Sequence, residues 1–271
     1  MSLCYCNASF VPIESAVLPV SDLAFQRGIA VFDTVRTYSG RPFALSRHLE
    51  RLAFSAALTH IALPLPLDEI GDIIREGVSR FSEDSLAKVF ITGGDVERDG
   101  SFPFSRLLIL FTPLSPVPEE VYTKGVALSL LPEERHFHPV KSINYMLPFS
   151  SRCAGTFEPL YCPGGEITES ATSSFFAVRD GILVTAPDSR VLRGITREII
   201  IEIARENELP VELRCPTLEE ISSFSEAFVT GSVKEVAPVV KIGALTVGRG
   251  SPGPVTLRLL DLFRKTVRNT L

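Results

Sequence analysis

The sequence predicts a protein of two domains, each of mixed helix and strand, of the α/β or α+β class. Segments with the spacing of amphipathic helices alternate with short strand-like runs, and they do so in two blocks. A stretch rich in proline and charge, residues 115–124, separates the blocks. Because 271 residues can bury two cores, we expect domains over 1–114 and 125–271, with 115–124 as the interdomain linker.

The first block reads as two helices followed by two strands. "ALSRHLERLAFSAALTHIAL" has apolar residues at helical spacing, with Ser46 as a candidate N-cap. "LDEIGDIIREGVSRF" repeats the pattern. The β-like runs "AKVFITGG" and "RLLILFTPL" follow, on either side of the polar, glycine-bearing "GGDVERDGSFPF".

The second block alternates hairpins with helices. "VALSLLP" reads as a strand, and "SSFFAVRDGILVTAP" as a hairpin that turns at Asp180-Gly181. "ITREIIIEIARENE" is an amphipathic helix opened by Thr196, and "TLEEISSF" begins a helix with a capping box of Thr217 and Glu220. The strand "EAFVTGS", the hairpin "VVKIGALTVG" and the helix "PVTLRLLDLFRKTVRN" complete the block.

Composition excludes several classes of protein. A net charge of −5 without a basic arm argues against a nucleic-acid partner. No charge-free apolar stretch reaches the ~18 residues that a membrane span needs. The five cysteines lack paired CxxC spacing, and reduced thiols are the simplest interpretation. We expect a cytoplasmic protein with no membrane partner.

A single lysine, Lys141, stands out in "RHFHPVKSINYML" because apolar residues surround it. One interpretation is a stem packed on Tyr145 with the ammonium reaching water. The other is a lysine whose amine forms a Schiff base with a carbonyl. That chemistry requires an aldehyde cofactor, and hence a phosphate site and a carboxylate for a pyridinium nitrogen.

The sequence offers candidates for both requirements. In "VLRGITREII", Gly194 precedes a helix start whose free N–H groups and dipole favour an anion, although ordinary capping explains the pattern equally well. "VTGSVKEV" adds the turn Gly231-Ser232. Arg51 in "RHLERL" could pair with phosphate or be a solvated charge, and Glu169 in "GGEITES" could serve the ring nitrogen or face water.

The order of these motifs resembles the fold-type IV pyridoxal-phosphate enzymes, which include branched-chain and D-amino-acid aminotransferases and aminodeoxychorismate lyase. The resemblance runs from about Arg27 nearly to the C-terminus. Seven motifs carry it: "RGIAVFDTVRTY", "HLERL", "PVKSINYM", "GEITES", "LRGITRE", "FVTGSVKEVAPV" and "PGPVT". Asp33 stands where the family more often has glutamate, and Ser174 where it has asparagine.

The resemblance implies roles for individual residues. Lys141 is similar to the lysine that forms the Schiff base with pyridoxal 5′-phosphate and moves the substrate proton, and Glu169 to the carboxylate on the pyridine nitrogen. The remaining cofactor-binding residues that it implies are Arg51, Ile195, Thr196 and Ser232 at the phosphate, Leu192 at the ring and Tyr145 near O3′. It also implies a homodimer and a smaller N-terminal α+β domain beside a larger pseudo-barrel domain.

Substrate class rests on fewer residues. "AKVFITGG" lacks the Tyr-x-Arg-Pro signature of the branched-chain enzymes. The usual D-amino-acid enzyme traps the substrate carboxylate with Arg-x-His, and this chain has Arg98 but Gly100 in place of the histidine. Lys234 and Arg27 are similar to the cations of a non-standard group of D-amino-acid aminotransferases.

We therefore expect amino-group transfer between a D-amino acid, such as D-alanine, and a 2-oxo acid, such as 2-oxoglutarate. Aminodeoxychorismate lyase and branched-chain L-amino-acid aminotransferase are the alternatives within the family. A non-catalytic phosphate binder would require neither Lys141 nor Glu169. A zinc site is not expected, because the pair His136 and His138 lacks a third ligand at metal spacing, and we interpret Arg135 and these histidines as the polar edge of a strand.

Overall fold

The structure, a computed structural model, describes residues 2–271 and divides into two units. One unit holds the residues up to Ser115 together with Val140–Asn144 and Leu271. The other holds Pro116–Pro139 and Tyr145–Thr270. A short part of the chain beyond the expected linker therefore folds with the N-terminal residues.

The N-terminal unit is built on one antiparallel sheet. Its strands are β1 (Leu3–Cys6), β2 (Ser9–Pro12), β3 (Ala30–Tyr38), β4 (Arg41–Pro42), β5 (Ser85–Thr92) and β6 (Arg106–Pro113). They lie in the order β2-β1-β6-β5-β3-β4. Its helices are α1 (Leu23–Arg27), α2 (Leu45–Leu58) and α3 (Leu67–Ser79), and a 3₁₀ helix spans Ile13–Ser15.

Helices α2 and α3 cover the sheet with apolar side chains at helical spacing. Leu52 on α2 and Ile70 and Ile74 on α3 are fully buried against the strands. Both predicted helices and both predicted strands of this block are confirmed. The proposed N-cap Ser46 is wrong, because the helix begins at Leu45 and Ala44 occupies the N-cap position in the left-handed conformation, with φ of 50°.

The segment Val140–Asn144 runs along β3 and fixes the backbone of Lys141. The Phe32 N–H donates to the Lys141 carbonyl oxygen at 2.9 Å, and the Lys141 N–H donates to Ser55 Oγ at 3.1 Å. Val140 is fully buried in the same core. Lys141 therefore projects from a backbone held at both its N–H and its carbonyl.

The second unit contains the remaining elements. Its helices are α4 (Glu119–Thr123), α5 (Met146–Ser150), α6 (Ile195–Glu206) and α7 (Pro254–Thr270). Its strands are β7 (Val126–Leu131), β8 (Glu158–Tyr161), β9 (Glu169–Ser170), β10 (Ser173–Arg179), β11 (Ile182–Thr185), β12 (Val211–Leu213), β13 (Glu226–Gly231), β14 (Glu235–Ile242) and β15 (Leu245–Thr246). Two 3₁₀ helices span Pro163–Gly165 and Leu218–Ser223.

The sheet of this unit closes on itself. Its order is β12-β11-β10-β13-β14-β7-β8-β9, and β9 pairs in addition with β10. The ring β10-β13-β14-β7-β8-β9 is therefore continuous, while β11, β12 and β15 extend it. A closed sheet in a two-unit α+β chain confirms the predicted fold class and its pseudo-barrel.

Most local predictions in the second block hold. The hairpin turns at Asp180-Gly181, both with positive φ (51° and 76°), and Thr217 and Glu220 form the capping box, on a 3₁₀ rather than an α-helix. Thr196 does not open its helix, because Gly194 is the N-cap. Arg135 and the neighbouring histidines lie in the loop after β7, so their placement on a strand edge is wrong.

Three observations concern the chain as a whole. Within residues 2–271 no helix has the length and apolar character needed to cross a membrane. All five cysteines are free thiols. Among the described residues there is no group of three or more histidine, cysteine or carboxylate side chains placed to hold a metal ion.

Candidate active site

A buried carboxylate, Asp33, organises the charged residues of the N-terminal unit. The alternation along β3 turns Asp33 inward together with Val31 and Val35. Its Oδ2 accepts from Arg51 Nε at 2.9 Å and its Oδ1 from Arg51 Nη2 at 2.8 Å. His48 Nδ1 lies 2.7 Å from the same Oδ1. Helix α2 presents His48 and Arg51 on one face because they are three residues apart.

The protonation states of this cluster follow from burial and charge. Burial alone would raise the pKa of Asp33, but Arg51 and His48 outweigh it and hold the pKa well below its usual range. Burial also lowers the pKa of His48, and the nearby positive charges of Arg51 and Lys141 lower it further against the opposing effect of Asp33. His48 is therefore a neutral imidazole whose Nδ1–H donates to an ionised Asp33.

Lys141 is half-buried, and its ammonium packs on an aromatic ring. Lys141 Nζ lies 4.8 Å from the centroid of the Phe32 ring, which stacks on Phe90 at 5.6 Å. Phe32 precedes Asp33 on β3, so one strand supports both the lysine and the Arg51 cluster. Of the predicted site residues, the N-terminal unit brings Lys141 and Arg51 into one charged environment.

In the second unit, Glu169 is almost fully buried on the strand that closes the barrel. Its Oε1 accepts from the Leu192 N–H at 3.1 Å and lies 3.3 Å from Arg135 Nη1. Leu192 is also buried and immediately precedes the turn into α6. Two predicted cofactor residues, Glu169 and Leu192, are therefore in direct contact.

The start of α6 has the form of an anion site. Gly194 is the N-cap and provides no side-chain cap, and Ile195 and Thr196 begin the helix. The first N–H groups of any helix lack intrahelical partners and attract negative charge. A Cβ atom at Gly194 would lie 2.5 Å from Ser174 Oγ, so a larger residue there would force the Ser174 side chain to shift. A phosphate fits this helix start, and a pyridine nitrogen fits the adjacent Glu169 carboxylate.

The turn after β13 carries Ser232 and Lys234. Lys234 Nζ donates to Thr172 Oγ1 at 2.6 Å and to Ser173 Oγ at 2.9 Å, and it lies 2.9 Å from Glu158 Oε1. Burial would raise the pKa of Glu158, but Lys234 and the hydroxyls beside it lower it instead. The Lys234 ammonium thus donates hydrogen bonds to two hydroxyls and forms an ion pair with Glu158.

The other predicted residues occupy separate positions. Arg27 is exposed at the end of α1, where its Nη1 donates to the Gln26 carbonyl at 3.0 Å. Arg98 is exposed, with its guanidinium 4.7 Å from the centre of the Phe104 ring. Tyr145 precedes α5 and packs edge-on against Phe149.

Four residues that contact the predicted site were not assigned a role from the sequence. They are Asp33, His48, Arg135 and Glu158. Asp33 carried a signal, because a charged residue at an inward position of an alternating strand implies a buried partner. Glu158 belongs to a strand buried on both faces, where alternation is absent, and its cation lies far along the chain.

The family model for amino-transferase class IV matches residues 30–242 of this chain. The match spans most of the chain, including Lys141, Glu169, the start of α6 and the turn that carries Ser232. The chain therefore belongs to the class IV aminotransferases, a family of pyridoxal 5′-phosphate enzymes.

Individual relatives fall into two substrate classes. The D-alanine aminotransferase of Staphylococcus haemolyticus is 27% identical, with 99% of each chain covered. A Thermotoga maritima protein named "Probable branched-chain-amino-acid aminotransferase" is 31% identical over 89% of this chain and 87% of its own. The branched-chain amino acid aminotransferase of Escherichia coli, a solved structure, has a TM-score of 0.86 and 27% identity, covering 97% of this chain and 93% of that one.

We predict that Asp33→Asn destabilises the protein by about 3–5 kcal/mol at pH 7, because Arg51 loses its buried counter-charge. The pKa of Asp33 is lower in the folded protein than in the unfolded chain. The contribution of Asp33 to the free energy of unfolding is therefore complete above the unfolded pKa of about 3.9, and it is lost as the pH falls through the folded pKa. Urea unfolding between pH 7 and pH 3 measures the difference.

The matched control is Asp72→Asn, which removes an exposed carboxylate paired with Arg75 on α3 and is expected to cost less than about 1 kcal/mol. A stability difference between wild type and Asp33→Asn that stayed constant down to pH 3 would contradict an ionised Asp33.

Proposed function

We propose that this protein transfers amino groups between a D-amino acid and a 2-oxo acid, such as D-alanine and 2-oxoglutarate. Class IV membership defines the aminotransferase chemistry. The D-alanine aminotransferase that matches along the whole chain supports the substrate class. We further propose that the active form is a homodimer.

In this proposal the cofactor is held by its separate chemical groups. The N–H groups of Ile195 and Thr196 and the hydroxyl of Ser232 bind phosphate, as does Arg51. Leu192 lies against the ring, and Tyr145 contacts O3′. When bound, pyridoxal phosphate supplies an aldehyde carbon that exchanges amino groups and a pyridine ring that accepts electrons from the substrate Cα.

Lys141 and Glu169 perform the proton chemistry. Lys141 Nζ would be the amine that holds the aldehyde carbon of the cofactor and the base that moves the proton at the substrate Cα. The anchored backbone of Lys141 limits where that nitrogen can reach, which supports proton transfer on one face. Glu169, held by Leu192 and Arg135, keeps its carboxylate available for the ring nitrogen.

Strand β5 is the observation that carries the choice of D-substrates, since its sequence lacks the Tyr-x-Arg-Pro signature of the branched-chain enzymes. Strand β5 ends at Thr92, and the turn Gly93-Gly94 follows it. The Thr92 hydroxyl donates to the buried Asp22 at 2.8 Å. Gly94 has a φ of 68°, and a Cβ there would lie 1.9 Å from the Phe104 carbonyl oxygen. The turn therefore requires glycine at position 94.

The substrate carboxylate needs a cation, and three are candidates. Lys234 and Arg27 are the cations of this proposal, with Arg98 as a third. A charge-assisted hydrogen bond of this kind contributes about 1.5–3 kcal/mol. Because Lys234 already contacts two hydroxyls and the Glu158 carboxylate, binding a substrate would require it to give up one of these contacts.

Branched-chain L-amino-acid transamination is the second candidate. The Escherichia coli structure and the Thermotoga maritima relative favour it, since both carry a branched-chain description and match at similar identity. The two candidate functions differ in the chirality of the amino-acid substrate and in the side chain that the enzyme accepts.

We predict that the cofactor-loaded enzyme converts D-alanine and 2-oxoglutarate to pyruvate and glutamate. The kcat/KM for L-leucine should be at least ~100-fold lower, because the loss of a charged contact reduces transition-state stabilisation by about 3 kcal/mol. Chiral chromatography of the products measures both reactions. Lys141→Ala should abolish turnover, whereas Lys124→Ala, an exposed lysine, should not. A preference for L-leucine would overturn the D-assignment in favour of the second candidate.

We predict that Lys234→Met raises the KM for D-alanine roughly tenfold to a hundredfold if the ammonium binds the substrate carboxylate. The same change leaves Glu158 buried without its cation and costs about 3–5 kcal/mol of stability. The double variant Glu158→Gln/Lys234→Met removes both charges and should regain most of that stability.

The double variant separates the two effects of the single change. Its KM should stay high when Lys234 contacts the substrate, since the stability loss is repaired but the cation is still missing. A wild-type KM in the double variant would show that Lys234 only compensates Glu158.

A further inference from the structure

Arg135 is a nearly buried cation beside the carboxylate of Glu169. Its Nη1 lies 3.3 Å from Glu169 Oε1, and the Arg135 side chain is 10% exposed against 5% for Glu169. The same nitrogen donates to the His138 carbonyl at 3.4 Å, within the loop that follows β7. An arginine in a loop thus contacts the carboxylate of Glu169 on strand β9 of the barrel.

The carboxylate is oriented from two directions. Oε1 accepts from the Leu192 N–H at 3.1 Å, and Leu192 belongs to the segment that leads into α6. Arg135 approaches the same oxygen from the β7 loop. Two donors on one oxygen restrict rotation of the carboxylate, so its orientation is fixed by backbone segments on both sides.

Two tyrosines, Tyr145 and Tyr161, lie near Arg135 and Glu169. Burial raises the pKa of Tyr161 to about 12, so its phenol is neutral at any ordinary pH. Tyr161 and Tyr145 both lie close enough to Arg135 to influence it electrostatically. Burial alone would lower the pKa of Arg135, but Glu169 and the tyrosines outweigh this and raise it. Arg135 is therefore the positive charge of this group, and Glu169 its negative partner.

We infer that Arg135 is a positioning residue that keeps Glu169 ionised and oriented, so that a carboxylate, not a carboxylic acid, meets the pyridine nitrogen of the cofactor. The inference rests on the role proposed for Glu169. It assigns to Arg135 a function that its neighbouring loop sequence, "EERHFHP", does not reveal.

The physical basis is the cost of a buried charge. A carboxyl group this deeply buried favours its neutral form unless a cation or hydrogen-bond donors stabilise the anion. With Arg135 present, Glu169 is a weak base, and a shared proton stays on the ring nitrogen. Without Arg135, Glu169 becomes a stronger base and holds that proton on its own oxygen.

The alternative is that Arg135 only braces the loop through the His138 carbonyl. In that case its loss would loosen the protein without changing where the proton lies. Protonation of the ring nitrogen therefore distinguishes positioning from bracing, and activity alone does not.

The experiment loads wild type and variants with pyridoxal phosphate labelled with ¹⁵N in the ring and records the solid-state ¹⁵N spectrum. Wild type and Arg135→Lys should show a protonated nitrogen, and Arg135→Gln an unprotonated one. Cofactor affinity in Arg135→Gln should fall roughly tenfold to a hundredfold, the effect of losing a charge-assisted contact. Arg190→Gln removes a different arginine, paired with Glu166, and should change neither readout.

Glu169→Gln separates this inference from the proposed function. If Glu169→Gln leaves the nitrogen protonated, Glu169 does not serve the ring, and the proposed role of Glu169 fails. If Glu169→Gln removes the proton while Arg135→Gln keeps it, the inference about Arg135 fails alone. Should Arg135→Gln not fold or bind cofactor, Arg135→Met, which also removes the charge, decides: an unprotonated nitrogen supports the inference, and a protonated one overturns it.

Discussion

The two-residue strand β9 closes the barrel, and the geometry of the second unit depends on that closure. Ser170 pairs with Leu160 on β8 and with Ser173 on β10, while Glu169 pairs with Ser174. Glu169 is thereby buried on β9, where the sheet closes, and its carboxylate requires hydrogen-bond donors from the protein. Ser174 in turn packs against Gly194, which places the start of α6 beside the same strand. One short strand thus sets the positions of a carboxylate and of an anion-binding helix end.

Buried carboxylates with dedicated cations recur across the chain. Asp33 is held by Arg51, Glu169 by Arg135, and Glu158 by Lys234. Burying one of these charges without the other would be strongly destabilising, so each pair fixes two segments of chain relative to each other within its unit. The three pairs involve residues for which the family resemblance implies cofactor or substrate contacts. The same charged residues therefore contribute both to the stability of the fold and to the proposed function.

The sequence predicted the class of fold better than it predicted the partners of the site residues. Motifs along the chain singled out Lys141 and Glu169, and helical spacing located α2 and α3. Contacts between segments that are distant in the sequence could not be predicted from local patterns. Lys234, for example, donates hydrogen bonds to Thr172 and Ser173, which are 62 and 61 residues away. Arg135 was misplaced because a charged residue near a strand end can equally belong to the following loop, and its contact with Glu169 depends on the closure of the barrel.

We propose above all that Lys141 is the residue to which pyridoxal phosphate is covalently bound. Borohydride reduction of the cofactor-loaded protein, followed by peptide mass mapping, tests it most directly. The added mass is expected on the peptide that contains Lys141. A label on another lysine, or no label on fully loaded protein, would contradict it.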